Sequence, residues 1–148
     1  MTTDASLFSP VRVERLDDAA IPLERSRLLL KLPPDDLALL LPLLETMELA
    51  SGCVLAEPNE PLTHAYFPES CVVSLVSRMR DGSTAEVGTV GDEGVVGLPL
   101  FLGVNASLSL TVVQVPGAAR RMSATAFVDA LRSIPSLDTW YACSRTGT

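Results

Sequence analysis

The chain has 148 residues, 47% hydrophobic and 20% charged, the balance of one globular domain with a core of its own. Eleven basic against eighteen acidic residues leave a net charge of −7, and the stretch between Leu32 and Ser77 holds no Lys or Arg. Such a surface repels phosphate backbones and speaks against DNA binding by this chain alone.

No apolar run reaches the ~18 residues that span a bilayer, so no membrane partner is expected. The N-terminus lacks the basic-then-apolar order of a signal peptide. Cys53, Cys71 and Cys143 are odd in number and far apart, so they form neither a disulfide framework nor a zinc pattern. A reducing, cytoplasmic setting is expected.

Residues 1–22 carry scattered charge with no sustained period and are expected to form a flexible leader, with the domain proper at 23–148. From Leu23 the pattern turns helical, with Leu28, Leu29 and Leu32 apolar. A second helix is predicted over "PPDDLALLLPLLETMEL", because prolines suit a first turn and Asp35 and Asp36 favour the positive helix end. Leu37, Leu40, Leu41, Leu44 and Met47 would form its buried stripe, with a kink at Pro42.

After Gly52 the period changes to two. "CVLAE", "HAYFP", "VVSLVSRM", "TAEVGTV", "LTVVQV" and "AARRM" read as short strands divided by turn residues. Arg80-Asp81-Gly82 marks a hairpin turn. Strands this short and this evenly spaced indicate a barrel, sandwich or jelly roll. Ser123 is a helix N-cap ahead of an inward face of Ala126, Phe127, Ala130, Leu131 and Ile134. Ile134-Pro135 ends that helix, and "SLDTWYACS" begins another.

Between Glu86 and Gly103 the chain reads "EVGTVGDEGVVGLPLFLG", with glycine at Gly88, Gly91, Gly94 and Gly97. Glycine serves where φ is positive or where another group approaches closely. A dinucleotide fingerprint needs G-x-G-x-x-G before a long helix, and here the spacing is G-x-x-G before a strand. A P-loop needs Gly-Lys-Ser/Thr, and the one lysine is Lys31. A cupin-type metal site needs several histidines, and the one histidine is His64. Asp92 and Glu93 would diverge on a strand and in a turn would cap backbone N–H groups. No nucleophile–base pair stands out. No enzyme activity, cofactor or metal is expected. Arg120-Arg121 reads as a solvated strand end.

The phrases Tyr66-Phe67-Pro68, Val73-Ser74-Leu75, Asp81-Gly82, Glu86-Val87-Gly88 and Gly91-Asp92-Glu93-Gly94 through Gly97 follow one another in a familiar order. From about Leu28 to Tyr141 the chain resembles the sensor domain of the Crp/Fnr transcription regulators. The resemblance implies a mainly β fold with flanking helices, a double-stranded, jelly-roll-like β-roll of the cyclic-nucleotide-binding type. It places Asp81, Gly82, Gly88, Gly91, Asp92, Glu93 and Gly94 at turns of the roll.

Gly97 would open the segment that wraps the phosphate in nucleotide-binding members, where backbone closeness is needed. Those members carry a Glu after the glycine and an Arg about ten residues on. Here Leu98 and Pro99 follow Gly97, and no Arg lies between Arg80 and Arg120. Binding of cAMP or cGMP in the family's usual manner is therefore not expected.

The resemblance implies an unidentified small-molecule effector held by Gly97, backbone N–H groups, Ser107 and Ser109, with Leu98, Leu100 and Phe101 as the apolar wall. An interaction or dimerisation domain without a ligand is the alternative. The helix-turn-helix of the family is expected to be absent after "LDTWYACSRTGT". With about two turns of dimer helix from Trp140 and Tyr141, a monomer or weak homodimer is expected.

Overall fold

The computed structural model describes residues 13–15, 26–107 and 109–137. Each segment with period two becomes a strand: β3 (Val54–Ala56), β4 (His64–Pro68), β5 (Val72–Arg78), β6 (Thr84–Val90), β7 (Leu110–Val115) and β8 (Gly117–Ser123). Two four-stranded antiparallel sheets result. One has the order β1-β2-β8-β4 and the other β3-β7-β5-β6, with β1 at Val13–Arg15 and β2 at Glu45–Leu49. Thus the expected leader contributes a strand, because Val13–Arg15 pairs along Met47–Leu49.

The helix expected through Met47 is shorter than its leucine spacing suggests. Helix α1 covers Arg27–Leu30 and α2 covers Pro34–Leu40, after which Leu41–Leu43 forms one 3-10 turn. Pro42 has no N–H to offer the ladder and its ring crowds the preceding turn. Beyond it the period is two: Met47 and Leu49 point into the core while Glu48 is exposed. Pairing of Glu45–Leu49 with Gly117–Arg121 then outweighs the helical pattern. Leu40, Leu44 and Met47 are buried as expected, but Leu41 is exposed and Leu37 half-buried.

Strands β2, β4 and β8 bury residues on both of their faces. Met47, Tyr66 and Ala119 meet Val73, Val96 and Val113 between the sheets. Ala65, Phe67 and Met122 turn the other way, into a cluster with Leu28, Leu29, Leu40 and Phe127. Helix α3 (Ala124–Ser133) packs Phe127 and Ala130 there. Its start is set by Ser123, whose hydroxyl accepts from the Ala126 N–H at 3.1 Å. Pro135–Leu137 is a further 3-10 turn. Trp140, Tyr141, Cys143 and most of the last expected helix lie outside the described residues.

Gly117 opens β8 under Ser70. A Cβ there would stand 2.6 Å from the Ser70 carbonyl carbon, and the Ala118 N–H donates to Ser70 Oγ at 2.8 Å. Gly117→Ala forces backbone apart, so we expect a loss of about 1–3 kcal/mol, readable as a lower urea midpoint. An unchanged midpoint would show that the strand entry yields freely. Cys53 and Cys71 are buried free thiols. Burial pushes the Cys71 thiol up to about 11 and keeps it neutral. Among the described residues no helix is long and apolar enough to cross a membrane.

Candidate functional site

The glycine-rich stretch is one turn followed by one tight backbone approach. Gly88 lies within β6 opposite Leu75, not in a turn as expected, since residues 84–90 pair continuously with β5 apart from one bulge. Residues 91–94 do turn, closed by Gly94 N–H to the Gly91 carbonyl at 3.1 Å. Glu93 Oε2 accepts the Gly91 N–H at 3.2 Å, the capping expected of an acid in a turn.

Asp92 and Glu93 do not diverge. Both face Arg27, at 3.1 Å and 3.8 Å. The Asp92 carbonyl also accepts the N–H groups of Arg27 and Leu28 at 3.0 and 3.3 Å. The turn therefore supplies acceptors for the open N-terminal donors of α1. At the hairpin, Gly82 has φ +90°, and Asp81 accepts from the Ser83 N–H and hydroxyl. Those hydrogen bonds hold the Asp81 carboxyl below its ordinary pKa.

After the turn the chain runs beside β4. Val96 and Tyr66 exchange two backbone hydrogen bonds, at 3.0 and 2.8 Å. Gly97 follows with φ +127°, its backbone so close that a Cβ would stand 3.4 Å from Ala65 Cα. Of the four regularly spaced glycines, only Gly97 needs the conformational freedom of glycine. It opens a 3-10 turn, Leu98–Leu102, that closes at Gly103.

Leu100 is buried in the helical-side core, and Leu98 and Phe101 pack half-buried against it. The Phe101 ring meets Phe127 edge-on, with centroids 5.2 Å apart, and Phe127 in turn meets Phe67. Ser107 and Ser109 form a separate local turn. The Ser107 hydroxyl donates to the Ser109 carbonyl at 2.6 Å. The Ser107 main chain bonds to Asn59 and Glu60. The expected ligand residues thus fall into two groups, one seated on β4 and α3, the other against residues 58–60.

Two charged sites escaped the reading of Arg120-Arg121 as a solvated strand end. β8 is flanked on both sides by β2 and β4. Arg120 is buried and its Nε meets Glu69 Oε2 at 3.0 Å. Arg121 points to the opposite face, where Nε donates to Glu45 Oε1 at 3.1 Å. Burial raises the Tyr66 pKa, and the neighbouring Arg121 guanidinium works against that rise. Burial, then the charge of Arg121, lowers the pKa of His64. Its ring lies 6.0 Å from that of Tyr66. The available signal was alternation: Gly117, Ala119 and Arg121 share a face, which sets a charge on the face of Met47 and Tyr66. Among the described residues no group of His, Cys, Asp and Glu is arranged to hold a metal ion.

Two antiparallel sheets rolled together between helices, with a glycine-opened 3-10 turn between the sixth and seventh strands, define the cyclic-nucleotide-binding β-roll. Solved structures bear this out. A cyclic nucleotide-binding domain from Methylobacillus flagellatus superposes with TM-score 0.70 at 14% identity, covering 92% of this chain and 82% of that one. The sensor domain of the transcriptional regulator DNR from Pseudomonas aeruginosa gives 0.64 at 20%, covering 79% of each chain. The regulatory subunit of a cAMP-independent protein kinase A from Trypanosoma cruzi, bound to guanosine, gives 0.69 at 19%, covering 83% of this chain. The chain spans 43% of the length of the trypanosomal subunits that it matches. No protein-family model and no curated protein matches.

Proposed function

We propose that this chain is a non-catalytic effector-sensing domain of the Crp/Fnr type, with its ligand in the roll beside the 3-10 turn Leu98–Leu102. The observation that carries the reading is Gly97. Its positive φ and 3.4 Å approach to Ala65 bring bare backbone against the β4 edge at the head of that turn. Backbone without a side chain, held at positive φ, is the kind of segment whose main-chain N–H groups can meet a ligand. Leu98 and Phe101 supply an apolar wall. Leu100 positions the turn from the core side.

Neighbours of the same fold hold nucleotide-like ligands, guanosine in the Trypanosoma cruzi subunit and cAMP in a Trypanosoma brucei mutant. Those ligands set the screen. A thermal-shift panel of nucleosides, nucleotides and small organic anions tests the reading. A ligand at a hundred times its Kd stabilises the fold by about 2.7 kcal/mol, a rise in Tm of roughly 5–10 °C for a chain of this size. A panel in which no compound moves Tm, checked by calorimetric titration, would overturn the proposal.

A further inference from the structure

Arg120 and Arg121 are adjacent on β8 and differ in one decisive respect. The side chains of the Arg120–Glu69 pair are 6% and 0% exposed, so nothing from solvent can replace either partner. Those of the Arg121–Glu45 pair are 22% and 36% exposed. A partly water-exposed ion pair of this kind adds little to stability, so a ligand anion can compete with the carboxylate for the guanidinium.

The location gives that exchange a purpose. Val96 pairs with Tyr66, Tyr66 with Arg121, and Arg121 with Glu45, so four chain segments place these residues on one cross-strand row. The row lies on the face of the first sheet that looks into the roll, the face of Met47, Tyr66 and Ala119. Gly97 follows Val96 and faces Ala65, so the 3-10 turn departs toward the helical side of the sheet while the row keeps to the roll side.

We propose that Arg121 is an anion anchor within the roll: it takes a two-oxygen acid group of the ligand, carboxylate or phosphate, in place of Glu45, with the Tyr66 hydroxyl as second donor. A planar guanidinium matches such a group with parallel N–H bonds. Tyr66 is the cross-strand partner of Arg121, and burial keeps its hydroxyl protonated, so it has a proton to donate. His64, its pKa lowered by burial and by Arg121, brings an uncharged ring at neutral pH. The site therefore offers one positive charge, suited to a monoanion. Glu45 is the internal stand-in for the ligand.

This inference rests on the sensor reading, and the test separates the two. The whole chain is titrated at low salt with inorganic phosphate, acetate, cAMP and uncharged guanosine. Binding is followed by calorimetry and by the Nε–Hε NMR signal of Arg121. The anions are expected to shift that signal, with phosphate and acetate telling the two acid groups apart. Glu45→Gln, which removes the internal competitor, should tighten anion binding about two- to fivefold. Arg121→Gln should weaken it about tenfold or more, and Arg121→Lys should fall between. Guanosine binding should not follow this order.

Anion affinity that is the same in Glu45→Gln and the unaltered chain would overturn the inference, and this variant does not depend on tolerance of a change at Arg121. Ligand binding indifferent to Arg121 would overturn the anchor and leave the sensor domain standing. Absence of binding by every probe, in the unaltered chain and in Glu45→Gln alike, would overturn both.

Discussion

Replacing Glu69 by alanine is expected to cost the fold about 3–5 kcal/mol. The Arg120 guanidinium would keep its charge on a side chain 6% exposed, with its carboxylate partner gone. Domains are stable by only about 5–15 kcal/mol, so the variant should lose much of its urea resistance. The double replacement Glu69→Leu with Arg120→Met should recover most of the loss, because removing both charges leaves none stranded. Equilibrium urea denaturation followed by far-UV circular dichroism measures both. A loss below about 1 kcal/mol for Glu69→Ala would mean that water reaches Arg120.

Phe127→Ala is the second large effect. The ring is fully buried and touches Phe67 on the sheet and Phe101 on the 3-10 turn. Truncation of such a residue costs about 3–5 kcal/mol through lost burial and the cavity left behind. The damage should also be local. Leu98–Leu102 loses its backing, so amide exchange should quicken at Leu100 and Gly103, whose N–H groups close the turn. Leu102→Ala, at a side chain 65% exposed, should change stability by less than ~0.5 kcal/mol. Equal effects from the two truncations would contradict the packing described.

The body of the fold was legible because strand alternation, turn residues and the Ser123 cap agree with one another. Asp81-Gly82 behaves as a turn because its chemistry is local. What escaped the sequence depends on distant partners. The leucine spacing of residues 37–47 is a sound helical pattern up to Pro42. Past it, Glu45–Leu49 follows β8, a partner strand far along the chain, and no local propensity reports that. Arg120 and Arg121 look like a surface pair until β2 and β4 are seen to enclose the strand. The regular glycines suggested a common cause, yet Gly88 sits in a strand and Gly97 in a left-handed approach. The candidate site was legible as a segment. The divided roles within it were not, since Leu100 serves the core and Ser107 its own loop.

The central position of β8 has a consequence for how the chain is made. β4 is complete at Pro68 and β2 at Leu49, but the strand that joins them spans Gly117–Ser123. At roughly 5–20 residues per second, a ribosome needs several seconds to pass from Pro68 to Ser123. Throughout that interval the apolar sides of β2 and β4 lack the strand that will lie between them. Contacts this distant in sequence also slow the folding of the finished chain. The newborn polypeptide therefore depends on a wait, and the vulnerable moment of this protein comes before the sheet has its middle.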